Sequence, residues 1–600
     1  MENHGVFCGE KFIKMINNEI KEKKKKNEIV FIILECFLIL GGLLSPGYLI
    51  FLDWPSGPII EINSNNIDFV FYAPFNLILS VVNKLLPGWI IQKIILFSLF
   101  FIVLFLTVKS RFLPNKKFQR YIVATFIAVN PFVYERLLAG QWHVLAGYFF
   151  LWFFLGVLLK FYQKEDWAEV KKIFIILLFT GLVSVHFWTM EILILCWYIL
   201  FNFLADTFRY LKKYFSEKII FSRNNSVGKK FIPGERWLKK LIIGGIFFLI
   251  ISLYWIIPLI HKKQYINNLN FSTQEYQAFS TGKNQKGNIL GNVLMMYGFW
   301  GENHQWGKQF IFNQNTLLFQ FSFSLFIVIV FLGYIRGFNQ KETRPIFIWL
   351  FLTLIAGVVL SGGVEVEFFG NWNKWLFANI PFWKGFRDTQ KWSGVIVVIY
   401  GLFFAHGLVF LSEKIKKQQQ LLNISVIFLL LTMTPFLWWG LNGQIQPVWY
   451  PQEWQMVDNY LQKQRECRAV FLPWHLYYPL DFNHQQLSAN PAQNFFHCRI
   501  YQSRNPEFKG IKMPIGEEEG QKYKIITEIV TSNNPDIKKA NKNIFALRKL
   551  GINYIILTND YREKDLYRYP FLRSKYLKKI IETETISLYK ININSQKNEK

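Results

Sequence analysis

Cysteine, acidic residues and charge of either sign are all scarce in this 600-residue chain. Five cysteines are too few for a disulfide framework. Charged residues make up only 18%, against roughly 25% in an average soluble domain. Within that small share, 40 acids face 68 lysines and arginines, a net charge of +28. No GxxxxGKS/T, GxGxxG, HExxH or paired CxxC pattern occurs, so ATP-driven transport, nucleotide-cofactor chemistry and zinc-finger binding have no motif behind them. No strict internal repeat is visible.

Apolar residues are what the chain has in excess: 52% hydrophobic, with 62 Phe, 27 Tyr and 21 Trp. Uncharged runs of about 20 residues recur, the length that crosses a bilayer. They predict a polytopic α-helical membrane protein with about eleven transmembrane helices and a C-terminal extracytoplasmic α/β domain. The expected spans begin near Ile29, Trp89, Phe118, His143, Ile173, Phe187, Leu241, Leu317, Ile346, Trp392 and Leu421. The predicted organisation is a basic cytoplasmic N-terminus (1–28), a transmembrane domain (29–439), the external α/β domain (440–591) and a polar tail (592–600). Residues 69–86 hold Asn76, Asn83 and Lys84 among apolar neighbours and read as an amphipathic helix lying at the interface.

Placing the cations by loop explains much of the charge. Lys23–Lys26, the segment Lys109–Arg120 and the loop Arg209–Lys240 fall on one side if the N-terminus is cytoplasmic, and the opposite loops carry far fewer. The basic excess is therefore a topology signal, and a nucleic-acid partner is not needed. With an odd span count the tail lies outside. There Arg468–Leu472, Asn553–Leu557 and Ile586–Ile591 read as strands and Asn543–Leu550 as helix. Cys467 and Cys498 share that tail, where a disulfide or two separate thiols both fit.

Ionisable groups near a membrane are costly, so those on the charge-poor side are the functional candidates. Asp53 follows the first span. Glu135, Arg136 and His143 lie in NPFVYERLLAGQWHVLAGY, His186 sits in a nearly loopless hairpin, and Arg387 and Lys391 lie in FWKGFRDTQKW. A carboxylate can serve as general base toward an acceptor hydroxyl, while arginine and lysine hold phosphate. Weaker candidates for a divalent metal are the pair Glu365 and Glu367 and the pair Glu302 and His304.

These segments resemble the GT-C class of polytopic glycosyltransferases, above all the membrane core of the mycobacterial arabinofuranosyltransferase-D type. The segment IPFWKGFRDTQKWSGV and the tail motifs YPQEWQMVDNYL, AVFLPWH, LRKLGINYIIL and ISLYKI are similar to the YfhO-like membrane proteins. The resemblance implies an integral plasma-membrane enzyme acting on the extracytoplasmic face in cell-envelope polysaccharide biosynthesis. It would move sugar from a polyprenyl-phosphate donor to an envelope glycan or lipid acceptor among the membrane lipids. Asp53 matches the class's catalytic carboxylate and Arg387 resembles its arginine on the lipid-phosphate side; the residues themselves add Lys391 on the donor phosphate and Glu135, Arg136, His143 and His186 lining the pocket. Many members carry an acidic pair in the first external loop, whereas here Asp53, Glu61 and Asp68 are well separated. The alternatives are a transporter or flippase of lipid-linked glycans and a non-catalytic envelope-assembly protein.

Overall fold

The structure is a computed structural model that describes residues 26–60, 67–114, 116–220, 235–261, 273–284, 287–302, 316–503, 517–532, 536–559 and 569–592. The helices, in order, are α1 (Lys26–Leu44), α2 (Ile67–Asn83), α3 (Gly88–Lys109), α4 (Lys117–Ala128), α5 (Pro131–Leu138), α6 (Trp142–Lys164), α7 (Trp167–Val183), α8 (Val185–Ile220) and α9 (Glu235–His261). Later long helices cover Leu317–Asn339, Arg344–Ser361, Ser393–Lys414 and Gln419–Met433. Among the described residues nine helices are long and apolar enough to cross a membrane, or ten if the bent pair α4–α5 is one span. The chain is an integral membrane protein of the polytopic helical class.

The difference from eleven spans has local causes. α7 is 17 residues long, at the lower edge of the roughly 17–25 residues that cross a bilayer, and packs beside α6 and α8. The expected span at Phe118–Val133 breaks at Asn130–Pro131, where the chain bends by 41°. Proline has no N–H to continue α4, and the Asn130 carboxamide caps α5 by accepting from Val133 N–H at 3.1 Å. α1 stops at Leu44, so Asp53 ends an extended segment and does not follow the span directly.

Ser393–Lys414 is the central pillar: 83% of its apolar window is buried, against 17% for α9 at the periphery. It crosses Leu317–Asn339 where Gly333 and Gly407 face the partner backbone; a Cβ on either would overlap a main-chain carbonyl oxygen. Small residues at that crossing let two helices approach closely.

Beyond Gln446 the chain forms a five-stranded sheet in the order β4-β1-β5-β7-β6. Its strands are β1 (Arg468–Leu472), β4 (Arg499–Tyr501), β5 (Tyr554–Thr558), β6 (Leu577–Glu582) and β7 (Ile586–Ile591); β2 (Tyr477–Pro479) and β3 (Leu487–Ala489) form a separate hairpin. β1 runs parallel to β4 and β5, while β7 is antiparallel to β5 and β6. Strand alternation divides the core. Ala469 and Phe471 pack with Trp454 on one face, and Val470 and Leu472 pack with Ile526 and Ile544 on the other. Cys467 and Cys498 form a disulfide beside the β1–β4 pair.

The hairpin docks on the segment between α1 and α2. Ala489 N–H donates to the Leu52 carbonyl at 2.8 Å, Ile59 N–H to Asn494 at 2.9 Å, and Tyr48 pairs with Val448. The C-terminal region thereby sits directly over Asp53.

Candidate functional site

Asp53 is held from three directions. Its N–H donates to Ala139 at 2.9 Å, Gln141 Nε2 donates to Oδ2 at 2.7 Å, and Tyr477 donates its hydroxyl proton to Oδ1 at 2.7 Å. Gly140 makes the first two contacts feasible. At φ +75° it turns the chain from α5 into α6, and any Cβ there would overlap the Phe51 side chain. Burial pushes the Asp53 carboxyl above its ordinary range, with the neighbouring Asp388 charge adding to it, although Gln141, Tyr477 and Arg136 pull the other way.

Behind Gln141 stands a fully buried ion pair. Arg136 meets Asp388 through NH1 at 2.6 Å and NH2 at 3.1 Å, and also donates to Gln141 and Gln390. Burial alone would raise the Asp388 carboxyl, but Arg136 and then Lys391 outweigh it and hold it below the usual carboxylate range. Gln390 passes the network on to Glu135 at 3.0 Å. Glu135 Oε1 also accepts the Gly298 and Phe299 N–H groups at 3.2 and 3.3 Å. Glu302 shares the Gly298 donor and takes Asn292 Nδ2 at 3.0 Å, and burial raises its carboxyl.

On the other side of Asp388 lies a nitrogen-rich group. Lys391 Nζ is 3.9 Å from Asp388 and 3.2 Å from His186 Nε2, which also lies 3.0 Å from the Gly385 carbonyl. Half-buried His143 is near enough to Lys391 and Arg136 to feel both charges. The Arg387 guanidinium lies 4.3 Å over the Phe279 ring and acts electrostatically on Asp388 and Tyr477. α2 closes this end: the Tyr72 hydroxyl accepts from Val185 N–H at 3.1 Å, and Phe75 packs on Trp142 at 5.6 Å.

The architecture has counterparts among solved structures. The cryo-EM structure of the arabinofuranosyltransferase AftD from Mycobacteria superposes with a TM-score of 0.59 at 13% identity, covering 95% of this chain and 40% of that one. Two structures of an AftD mutant give TM-scores of 0.58 and 0.56 at 14% and 13% identity. The chain has the AftD-type GT-C fold. It spans about two fifths of the length of those proteins. No protein-family model matches the sequence, and no curated protein matches it.

Within this AftD-type fold, Asp53, Arg136, His143, His186 and Lys391 form one cluster with Arg387 at its edge. One assignment needs correction. Glu135 and Arg136 cannot line an open pocket, because both side chains are fully buried and bonded to internal partners. They position other groups. The metal candidates are placed as follows. Glu365 is paired with Lys283 at 2.6 Å, Glu302 is engaged by Asn292 and Gly298, and His304 lies outside the described residues, as does Glu61. Among the described residues no three His, Cys, Asp or Glu side chains stand together. Tyr477, Gln141 and Gln390 are bonded neighbours of these residues that sequence reasoning did not single out, and Asp388 was given no role. Gln141 lies between Arg136 and His143, in an already suspect segment, and was the one within reach.

Proposed function

We propose that this protein is a membrane glycosyltransferase that moves a sugar from a polyprenyl-phosphate donor to an envelope glycan or lipid acceptor on the extracytoplasmic face. One observation carries the reading: a single half-buried carboxylate, Asp53, adjoins a group of nitrogen donors at one end of the helical bundle, under the C-terminal region. A carboxyl raised by burial is a better proton acceptor than an ordinary one. Asp53 takes the proton of the acceptor hydroxyl as that oxygen bonds the anomeric carbon. The bond from that carbon to the phosphate oxygen breaks, and its electron pair leaves with the polyprenyl phosphate. Lys391 and Arg387, with His143 and His186, hold the phosphate as its charge develops. The Arg136–Asp388 pair fixes Gln141 and Lys391 in place. Attack opposite the departing phosphate inverts the anomeric configuration.

The test uses membranes containing the protein and radiolabelled polyprenyl-phosphate sugars. Transferred label is expected from the native protein and none from Asp53→Asn, with equal membrane insertion. Wild-type transfer by that variant would remove Asp53 from the chemistry. Absence of transfer from every lipid-linked donor would remove the reading itself.

A further inference from the structure

A cavity lies outside the Asp53 cluster. Its volume is about 640 Å³, within the roughly 300–1,000 Å³ of ligand clefts, and Gln277, Lys283, Glu365, Glu367, Asn371 and Lys374 supply its polar lining. Two lysines, two glutamates and two carboxamides make that lining neutral overall, rich in donors and acceptors alike. A phosphate entering it would meet two carboxylates, and a cation two ammonium groups. A neutral polyol meets neither penalty and can use every group. The Lys283–Glu365 ion pair, at 2.6 Å, ties one wall to the other.

Asn371 and Lys374 belong to the helix Gly370–Asn379, whose buried face is Gly370, Asn373 and Phe377. Trp375 does not line the cavity itself, but it follows Asn371 by four residues, so the two share a face of the helix. Trp375 is 50% exposed and stacks on Trp372 at 5.4 Å and 17°. A flat ring beside hydrogen-bonding groups suits the C–H face of a pyranose or furanose. The cleft also adjoins the Asp53 cluster. Val364 lines it, and the preceding Gly363, at φ +69°, abuts the Thr389 hydroxyl, leaving no room for a Cβ. Thr389 directly follows Asp388 in the cluster.

We propose that this cleft binds a neutral oligosaccharide, the part of an acceptor glycan remote from the reacting hydroxyl. The acceptor role rests on the glycosyl-transfer reading; the carbohydrate site does not. The test takes the full chain in lipid nanodiscs. It measures binding of neutral gluco-, galacto-, manno- and arabino-pentasaccharides, and of inorganic phosphate as a control, by saturation-transfer NMR and calorimetry. At least one pentasaccharide is expected to bind the native protein and Asp53→Asn equally. It should bind at least tenfold more weakly to the double variant Glu367→Ala/Asn371→Ala and to Trp375→Ala, all at exposed positions and checked for unchanged melting temperature. Binding by none of the sugars, binding indifferent to the cleft substitutions, or tighter binding of phosphate overturns the proposal. Cleft-dependent sugar binding without any transfer activity would leave the site standing and remove only its acceptor role.

Discussion

Asp53 is the residue whose protonation the fold controls most directly, and Tyr477 is the lever on it. The Tyr477 hydroxyl donates to the ionised carboxyl and so favours the charged form, opposing the upward push of burial. A base must be deprotonated to work, so transfer should fall as pH drops through the raised Asp53 value. That acid limb should lie above the ordinary aspartate value of about 3.9. Tyr477→Phe removes a donor, so the limb should move further up in pH, read from a pH–rate profile; an unmoved or lowered limb would separate Tyr477 from the base. Arg136 calls for a different argument. Arg136→Met leaves Asp388 enclosed with only Lys391, 3.9 Å away, to offset its charge, and breaking a buried pair in this way costs up to about 3–5 kcal/mol. The double replacement Arg136→Met/Asp388→Leu removes both charges and should regain most of the lost melting temperature without regaining activity. If the single variant melts like the native protein, the pair is not structural.

At the scale of elements, the close crossing of Leu317–Asn339 with Ser393–Lys414 supports the site, because the latter helix begins immediately after Asp388–Trp392. Gly407→Leu forces the helices apart at Ile329, and overpacking of this kind costs about 1–3 kcal/mol. A lower unfolding temperature in detergent and weaker transfer are expected together; unchanged stability would mean that the crossing yields freely. Elements were also where the sequence was most legible. Apolar runs mark spans because length and hydrophobicity are local properties, and the strands Arg468–Leu472 and Ile586–Ile591 stand where their patterning put them. The break at Asn130–Pro131 was written in the proline yet hidden by apolar residues on both sides. Ionisable residues of the cluster were legible because charge is scarce on their side. Its hydrogen-bonding partners were not, since Asp53 and Tyr477 are 424 positions apart and nothing local in YYP announces a contact with a membrane loop.

At the scale of the whole molecule, the contact of Tyr477 with Asp53 and the disulfide together turn topology into a measurable property. The C-terminal region docks on the segment carrying Asp53, so both must face the same compartment. Cys467 and Cys498 are bonded across a separation of 31 residues, and such bonds persist in oxidising surroundings and are rare in the cytosol. The side of the membrane on which the sheet lies is therefore also the side on which the proposed transfer would take place. Cells quenched in acid, then denatured and treated with a maleimide polymer, should show Cys467 and Cys498 blocked until a reductant is added, while Cys36 and Cys196 react at once. Replacing the pair with serine should lower stability by roughly 3–4 kcal/mol on the loop-entropy estimate for a closed loop of this length. Free thiols at both positions in freshly quenched cells would put the sheet, and with it Asp53, on the reducing side. The excess of lysine and arginine in the opposite loops would then need a different explanation, and a lipid-linked donor on the extracytoplasmic face could not reach the carboxylate.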